Sequence, residues 1–151
     1  MRTLALFTLV ATLAVCADSH TTAAPVPKHL MKEAENPDLA AMQGKWELIS
    51  ANLDGESRKP ADATLEIRDN RGKIVDEHSN STFIFTLDTT TNPRRMISLD
   101  STDRHAKAIV AIYKIEGDTL TIADRRDDPE KPPEEFSGEG ITALIYTRVR
   151  K

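Results

Sequence analysis

With 151 residues, 39% of them hydrophobic and 29% charged, the chain has room for one globular domain plus a short appended segment. That apolar content can offset the entropy lost on folding, which argues against wholesale disorder. The 20 basic and 24 acidic residues are interspersed and give a net charge of −4; neither a basic face for a nucleic-acid backbone nor a polybasic stripe for an anionic membrane can be picked out.

The first element reads as an export segment. Met1-Arg2 supplies a positive charge, and Leu4 to Val15 follows as an apolar run broken only by threonines. Such a run is too short to remain as a membrane span and suits the hydrophobic region of a signal peptide. Val15 and Ala17 stand at the −3 and −1 positions for cleavage after Ala17, which makes residues 1–17 the signal peptide. Cys16 is the only cysteine, and Leu13-Ala14-Val15-Cys16 resembles a lipobox, with Val15 where that motif carries Gly, Ala or Ser. Cleavage after Ala17 leaves no thiol, and so no disulfide, thiolate metal ligand or cysteine nucleophile. The expected location is periplasmic or extracellular, with lipid anchoring through Cys16 as the second route. Residues 18–41 then form a polar, proline-interrupted linker, whose end Asn36-Pro37-Asp38-Leu39-Ala40-Ala41-Met42 predicts a single helical turn with proline at its first position.

The domain spans residues 42–151 and breaks into short runs separated by turn residues. Trp46 to Leu53 ends at Asp54-Gly55, a strong reverse-turn pair. Thr64 to Arg68 alternates with period two and stops at Asp69-Asn70-Arg71-Gly72. Lys73 to Glu77 is a weaker strand. Thr82 to Leu87 places Phe83, Phe85 and Leu87 on one face. Arg95 to Leu99, Lys107 to Glu116, Thr119 to Ile122 and Gly140 to Val149 complete the set. Eight strands at nearly even spacing, with no long segment of helical period, predict an all-β fold. A single small antiparallel up-and-down barrel is favoured over a two-sheet sandwich, because closure removes exposed edges and gives the apolar residues an interior.

Two motifs carry a resemblance. Gly44-Lys45-Trp46 at the opening of the first strand resembles the Gly-x-Trp signature of lipocalin-like barrels. In such barrels the tryptophan packs at the closed end beneath an arginine of the last strand; the resemblance points to Arg148, with Arg150 as the next candidate, and the expected contact is a cation–π stack. More of the domain, from about Met42 to Arg150, resembles an uncharacterised domain family abundant in planctomycete bacteria. The matching segments are Met42-Gln43-Gly44-Lys45-Trp46 with Ile49-Ser50, the block Ile112-Tyr113 through Gly117-Asp118-Thr119-Leu120, and Pro133-Glu134-Glu135-Phe136 before a final apolar strand ending in basic residues. The resemblance implies an exported lipocalin-like barrel and no known activity. The chain departs from that pattern at Lys131-Pro132-Pro133 and at Asp124-Arg125-Arg126-Asp127-Asp128.

Chemistry-bearing residues are sparse. His20 and His29 fall in the linker; His78 and His105 lie near acidic residues, and Ser79, Ser81 or Ser101 could complete a hydrolytic triad, but no nucleophile elbow accompanies them. Surface-loop histidines are the simpler reading, and no catalytic residue is expected. Asp124, Asp127, Asp128, Glu130, Glu134 and Glu135 crowd one loop, without the spacing of a calcium loop and with Arg125, Arg126 and Lys131 among them; a self-paired acidic loop, with no metal or cofactor, is expected. The aromatic residues can fill a small barrel as readily as line a cavity, and filling is favoured. Any pocket is expected to draw on Trp46, Phe83, Phe85, Val110, Ile112 and Tyr113, with Gly44, Trp46 and Arg148 forming the barrel floor and Phe136 plugging the mouth. The function these residues suggest is binding of a small apolar molecule in the cell envelope; a filled barrel that meets an envelope protein through its surface is the alternative.

Overall fold

A computed structural model describes residues 36–58, 62–77, 80–103 and 105–150. The predicted signal peptide, Cys16, most of the linker, His78 and Ser79 lie outside the described residues. Helix α1 (Pro37–Met42) is followed by strands β1 (Gly44–Leu53), β2 (Glu56–Arg58), β3 (Thr64–Arg68), β4 (Arg71–Val75), β5 (Asn80–Asp88), β6 (Arg94–Asp100), β7 (Ile109–Glu116), β8 (Thr119–Arg125) and β9 (Ile141–Arg148). Each strand from β3 to β9 pairs antiparallel with the next, β3 pairs with β1, and β1 pairs with β9. The sheet thus closes into an eight-stranded up-and-down barrel. β2 is an extra strand on the far half of β1, set there by the two-residue turn at Asp54-Gly55, whose φ angles of 56° and 82° suit a twisted hairpin. It is only three residues long and exposed throughout, so no alternation marks it in the sequence.

Strand parity decides what the barrel contains. Leu65 and Ile67 of β3, Phe85 of β5, Met96 of β6, Ala111 and Tyr113 of β7, Leu120 of β8 and Tyr146 of β9 all point inward into one buried cluster. In β1 the register shifts between Leu48 and Ser50, so Ile49 bulges to the outside and is 51% exposed. That extra residue lets Trp46 and Leu48 face inward before the bulge and Ala51 and Leu53 after it, opposite Leu144 and Thr142.

A second, smaller cluster lies on the outer face. Ile112, Ala123 and Ala143 are neighbours on β7, β8 and β9, and with Ile141 they are covered by Phe136 from the segment 126–140. Lys114 holds its Nζ 5.4 Å from the centre of the Phe136 ring. The strap is tied down by the Val110 N–H donating to Pro129 O and by Arg126 and the Gly140 N–H, both donating to the Asp54 carboxylate. These bonds hold Asp54 below its ordinary pKa, Arg126 contributing most. Phe136 therefore seals an outer wall and does not plug the mouth. Ile112 belongs to that wall, and Val110, two residues earlier on the same strand, shares its outward side.

The floor is built by α1. Asn36 caps the helix, its side-chain oxygen accepting from the Asp38 and Leu39 N–H groups. The helix presents Asp38, Leu39 and Met42 to the end of the barrel, and Met42 is fully buried. Trp46 donates from Nε1 to Met42 O at 2.8 Å. Arg148 lies 4.1 Å above the Trp46 ring and donates to the Gln43 and Ala41 carbonyls. Gly44, at φ 114°, lets the chain turn into β1 beside Arg148 Nη1. Asp38 accepts from Arg94 Nη1 at 2.7 and 2.8 Å and from the Tyr113 hydroxyl at 2.6 Å. Its side chain is 12% exposed, whereas that of Arg94 is half exposed. Truncating Asp38 leaves a buried tyrosine hydroxyl and an arginine without their acceptor. Asp38→Ala is expected to lower the unfolding free energy by about 3 kcal/mol in a denaturant titration. Arg68→Ala, which breaks an exposed pair with Glu66, is expected to change it by less than about 0.5 kcal/mol.

Candidate functional site

The interior is packed at the α1 end and open at the other. Starting from β5, β6, β7 and β8, the inward positions farthest from α1 are Ser81, Ser98, Asp100, Ile109 and Asp124. Apart from Ile109 these side chains are short or polar, and between them and the floor lies a cavity of about 210 Å³. Leu65, Ile74, Phe83, Met96, Ile122 and Leu144 form its apolar wall, with Ala111 and Tyr146 deeper in. The Phe83 ring stands 6.0 Å from that of Phe85 and directly over Gly72, where any Cβ would fall 2.1 Å from the ring. Gly72 thus gives Phe83 the room to lie against the wall instead of across the cavity. A second depression of about 350 Å³ lies on β3, β4 and β5, lined by Arg68, Arg71, Lys73 and Ile84. It is a surface groove, and its Glu66 and Arg68 neutralise each other.

Of the six residues expected to line a pocket, Phe83 alone does so among the described lining residues. Phe85, 2% exposed, fills the core beneath it. Trp46 and Tyr113 are locked into the floor by hydrogen bonds to Met42 and Asp38. Val110 and Ile112 face outward, because β7 places its odd-numbered residues inside. The expectation of a filled barrel holds for the floor half, where the large side chains are, and not for the mouth half. No His, Ser and Asp are brought together as a triad among the described residues: His105 meets Asp103 through its backbone N–H, and the Ser101 hydroxyl pairs with Thr82.

The acidic loop of the sequence is taken apart by the fold. Asp127 pairs with Arg125, and Glu130 lies 3.7 Å from Lys107. Asp124 is different. It is the last inward residue of β8, lining the cavity, with Thr142 as its cross-strand neighbour on β9. Burial raises its pKa above the ordinary 3.8, and no arginine or lysine among the described residues offsets this. Its charge, together with burial, pushes the Tyr146 hydroxyl up to about 12, burial being the larger cause. Asp100, on β6 two strands along the rim from Asp124, is held below its ordinary pKa by the Thr102 hydroxyl and backbone N–H. Two carboxylates therefore face one apolar chamber, and no Lys, Arg or His lines it among the described residues.

No family model, curated protein or solved structure matches this chain. The planctomycete-type resemblance rests on the sequence motifs alone.

A carboxylate whose pKa rises on folding opposes folding when it is ionised. That cost is full above its raised folded pKa, shrinks as pH falls through it, and vanishes below the unfolded value near 3.8. The other titratable groups sharing the cavity are Asp100 and Tyr146. Asp124→Asn is accordingly expected to raise Tm at pH 7, with the gain fading towards pH 4 in thermal melts of the full chain. A loss of stability at pH 7, or a gain that grows in acid, would contradict this account of Asp124.

Proposed function

We propose that the chain is an exported barrel that binds a small, predominantly apolar molecule in its open end, in the manner of a lipocalin-like carrier. The observation that carries this reading is the cavity of about 210 Å³ walled by Leu65, Ile74, Phe83, Met96 and Leu144. An apolar cavity of about 150 Å³ is already sufficient for a benzene-sized guest. The floor supports the same reading: Trp46, Arg148 and α1 close one end, so a guest enters and leaves only by the rim. The apolar run Leu4 to Val15, read as an export segment with secretion after Ala17 or anchoring at Cys16, supports a carrier that works in the cell envelope. The chemistry is binding, not catalysis.

The alternative, a surface module that meets an envelope protein, draws on a different feature. Ile84 and Leu99 face each other across β5 and β6 on the outer wall, and Ile97 is also exposed. The two readings part in one titration. Toluene added to the full chain is expected to raise Tm by preferential binding to the folded state. Ala111→Leu, which places three more carbon atoms inside the cavity, is expected to abolish that rise. A Tm that ignores toluene, or responds equally in the variant, favours the surface module.

A further inference from the structure

The cavity is chemically lopsided in a way that a purely apolar guest does not use. Its apolar residues, Leu65, Ile74, Phe83, Met96 and Leu144 among them, come from strands all round the barrel below the rim, while β5, β6 and β8 place Ser81, Ser98, Asp100 and Asp124 at the rim itself. Thr142, facing Asp124 across the strand pair, holds its hydroxyl oxygen buried with no hydrogen-bond partner. Away from the cavity, structural acids of the described chain have cations: Asp38 has Arg94, Asp54 has Arg126, and Asp118 has Arg148 and Arg150; Asp100 at the rim is satisfied by Thr102 instead. Asp124 has none among the described residues. A barrel needing only to be filled would gain by replacing this residue with an apolar one, since an uncompensated charge beside an apolar chamber opposes folding.

We propose that the guest is an organic cation, with an apolar body lodged against Phe83, Met96 and Leu144 and a protonated amine held at the rim by Asp124. This deepens the binding reading above and rests on it. The ammonium offers three donors to an arc rich in oxygen acceptors, and Asp100, fixed in its ionised form by Thr102, adds a second negative charge at the entrance. Low-dielectric walls focus that field and draw cations towards the mouth while turning anions away. Size narrows the class further. Scaled from benzene in a cavity of about 150 Å³, this chamber suits a guest of roughly eight or nine heavy atoms, the size of an arylalkyl amine.

The test is a calorimetric titration of the full chain at pH 7.5 with three probes of matched size: phenethylamine, 2-phenylethanol and phenylacetate. The amine is expected to bind roughly tenfold or more tightly than the alcohol, the worth of one charge-assisted hydrogen bond, and phenylacetate is expected not to bind. In Asp124→Asn the amine and the alcohol are expected to converge, the alcohol being little changed. Equal affinity for amine and alcohol in the unaltered chain, or preference for phenylacetate, overturns the cationic guest and leaves the apolar cavity standing. Binding of none of the three overturns both. An amine preference that persists in Asp124→Asn overturns the role of Asp124. The probe series on the unaltered chain decides the question even where the variant folds poorly.

Discussion

Closure of β1 onto β9 is the constraint on which the rest depends. Once the first and last barrel strands are hydrogen bonded, eight strands fix the perimeter, and the interior has a set volume that side chains must share. The chain distributes that volume unevenly. Trp46, Met42, Tyr113, Leu120 and Ile67 crowd the α1 end, where each is at most 2% exposed. At the rim the inward positions go to Ser81, Ser98 and Asp100, and halfway down β7 to Ala111. Small residues on a fixed perimeter leave space, since the barrel cannot collapse around them without breaking its own ladder. The cavity is thus a consequence of where the chain spends its large side chains.

The inward acids follow the same division. Asp38 is paired at the floor with Arg94 and accepts from Tyr113, whose own ionisation is suppressed by burial first and by its hydrogen bond to Asp38 second. It joins α1 to β6 and β7 and stabilises the closed end. Asp124 sits at the other end of the same barrel without a cation. Asp38 adds to stability, whereas Asp124, ionised beside an apolar chamber, subtracts from it, and the proposed recognition of a cation rests on that cost.

The fold was legible because its signals are local. Period-two alternation at Thr64–Arg68 and Phe83–Leu87, together with Asp54-Gly55, Asp69-Asn70 and Gly117-Asp118, marks strands and hairpins within a few residues of sequence. Trp46 and Arg148 were legible as a pair through the Gly-x-Trp motif, and they meet as a stack. The site was not, for two physical reasons. Ile109, Val110, Ala111, Ile112 and Tyr113 form a run apolar on both faces, because the strap segment covers the outer one; alternation disappears where both sides of a strand are buried. Choosing Val110 and Ile112 over Ile109 and Ala111 was a choice of parity that composition cannot make. Asp124, in turn, reads as part of the acidic stretch that follows it. Only the pairing Asp124 with Thr142 extends β8 far enough to turn that one carboxylate inward while Asp127 stays outside with Arg125. The signal was present in the sequence as continued alternation, Leu120, Ile122, Asp124, masked by the charge of its last member.

The barrel is packed at its α1 end and hollow at the other. A crystal structure of the full chain determined under xenon pressure tests this arrangement most directly, because xenon occupies apolar cavities without needing hydrogen bonds. Xenon density is expected among Leu65, Phe83, Met96 and Leu144, and none between Trp46, Met42 and Tyr113. An interior free of xenon, with Phe83 swung away from Gly72 to fill the mouth, would contradict it.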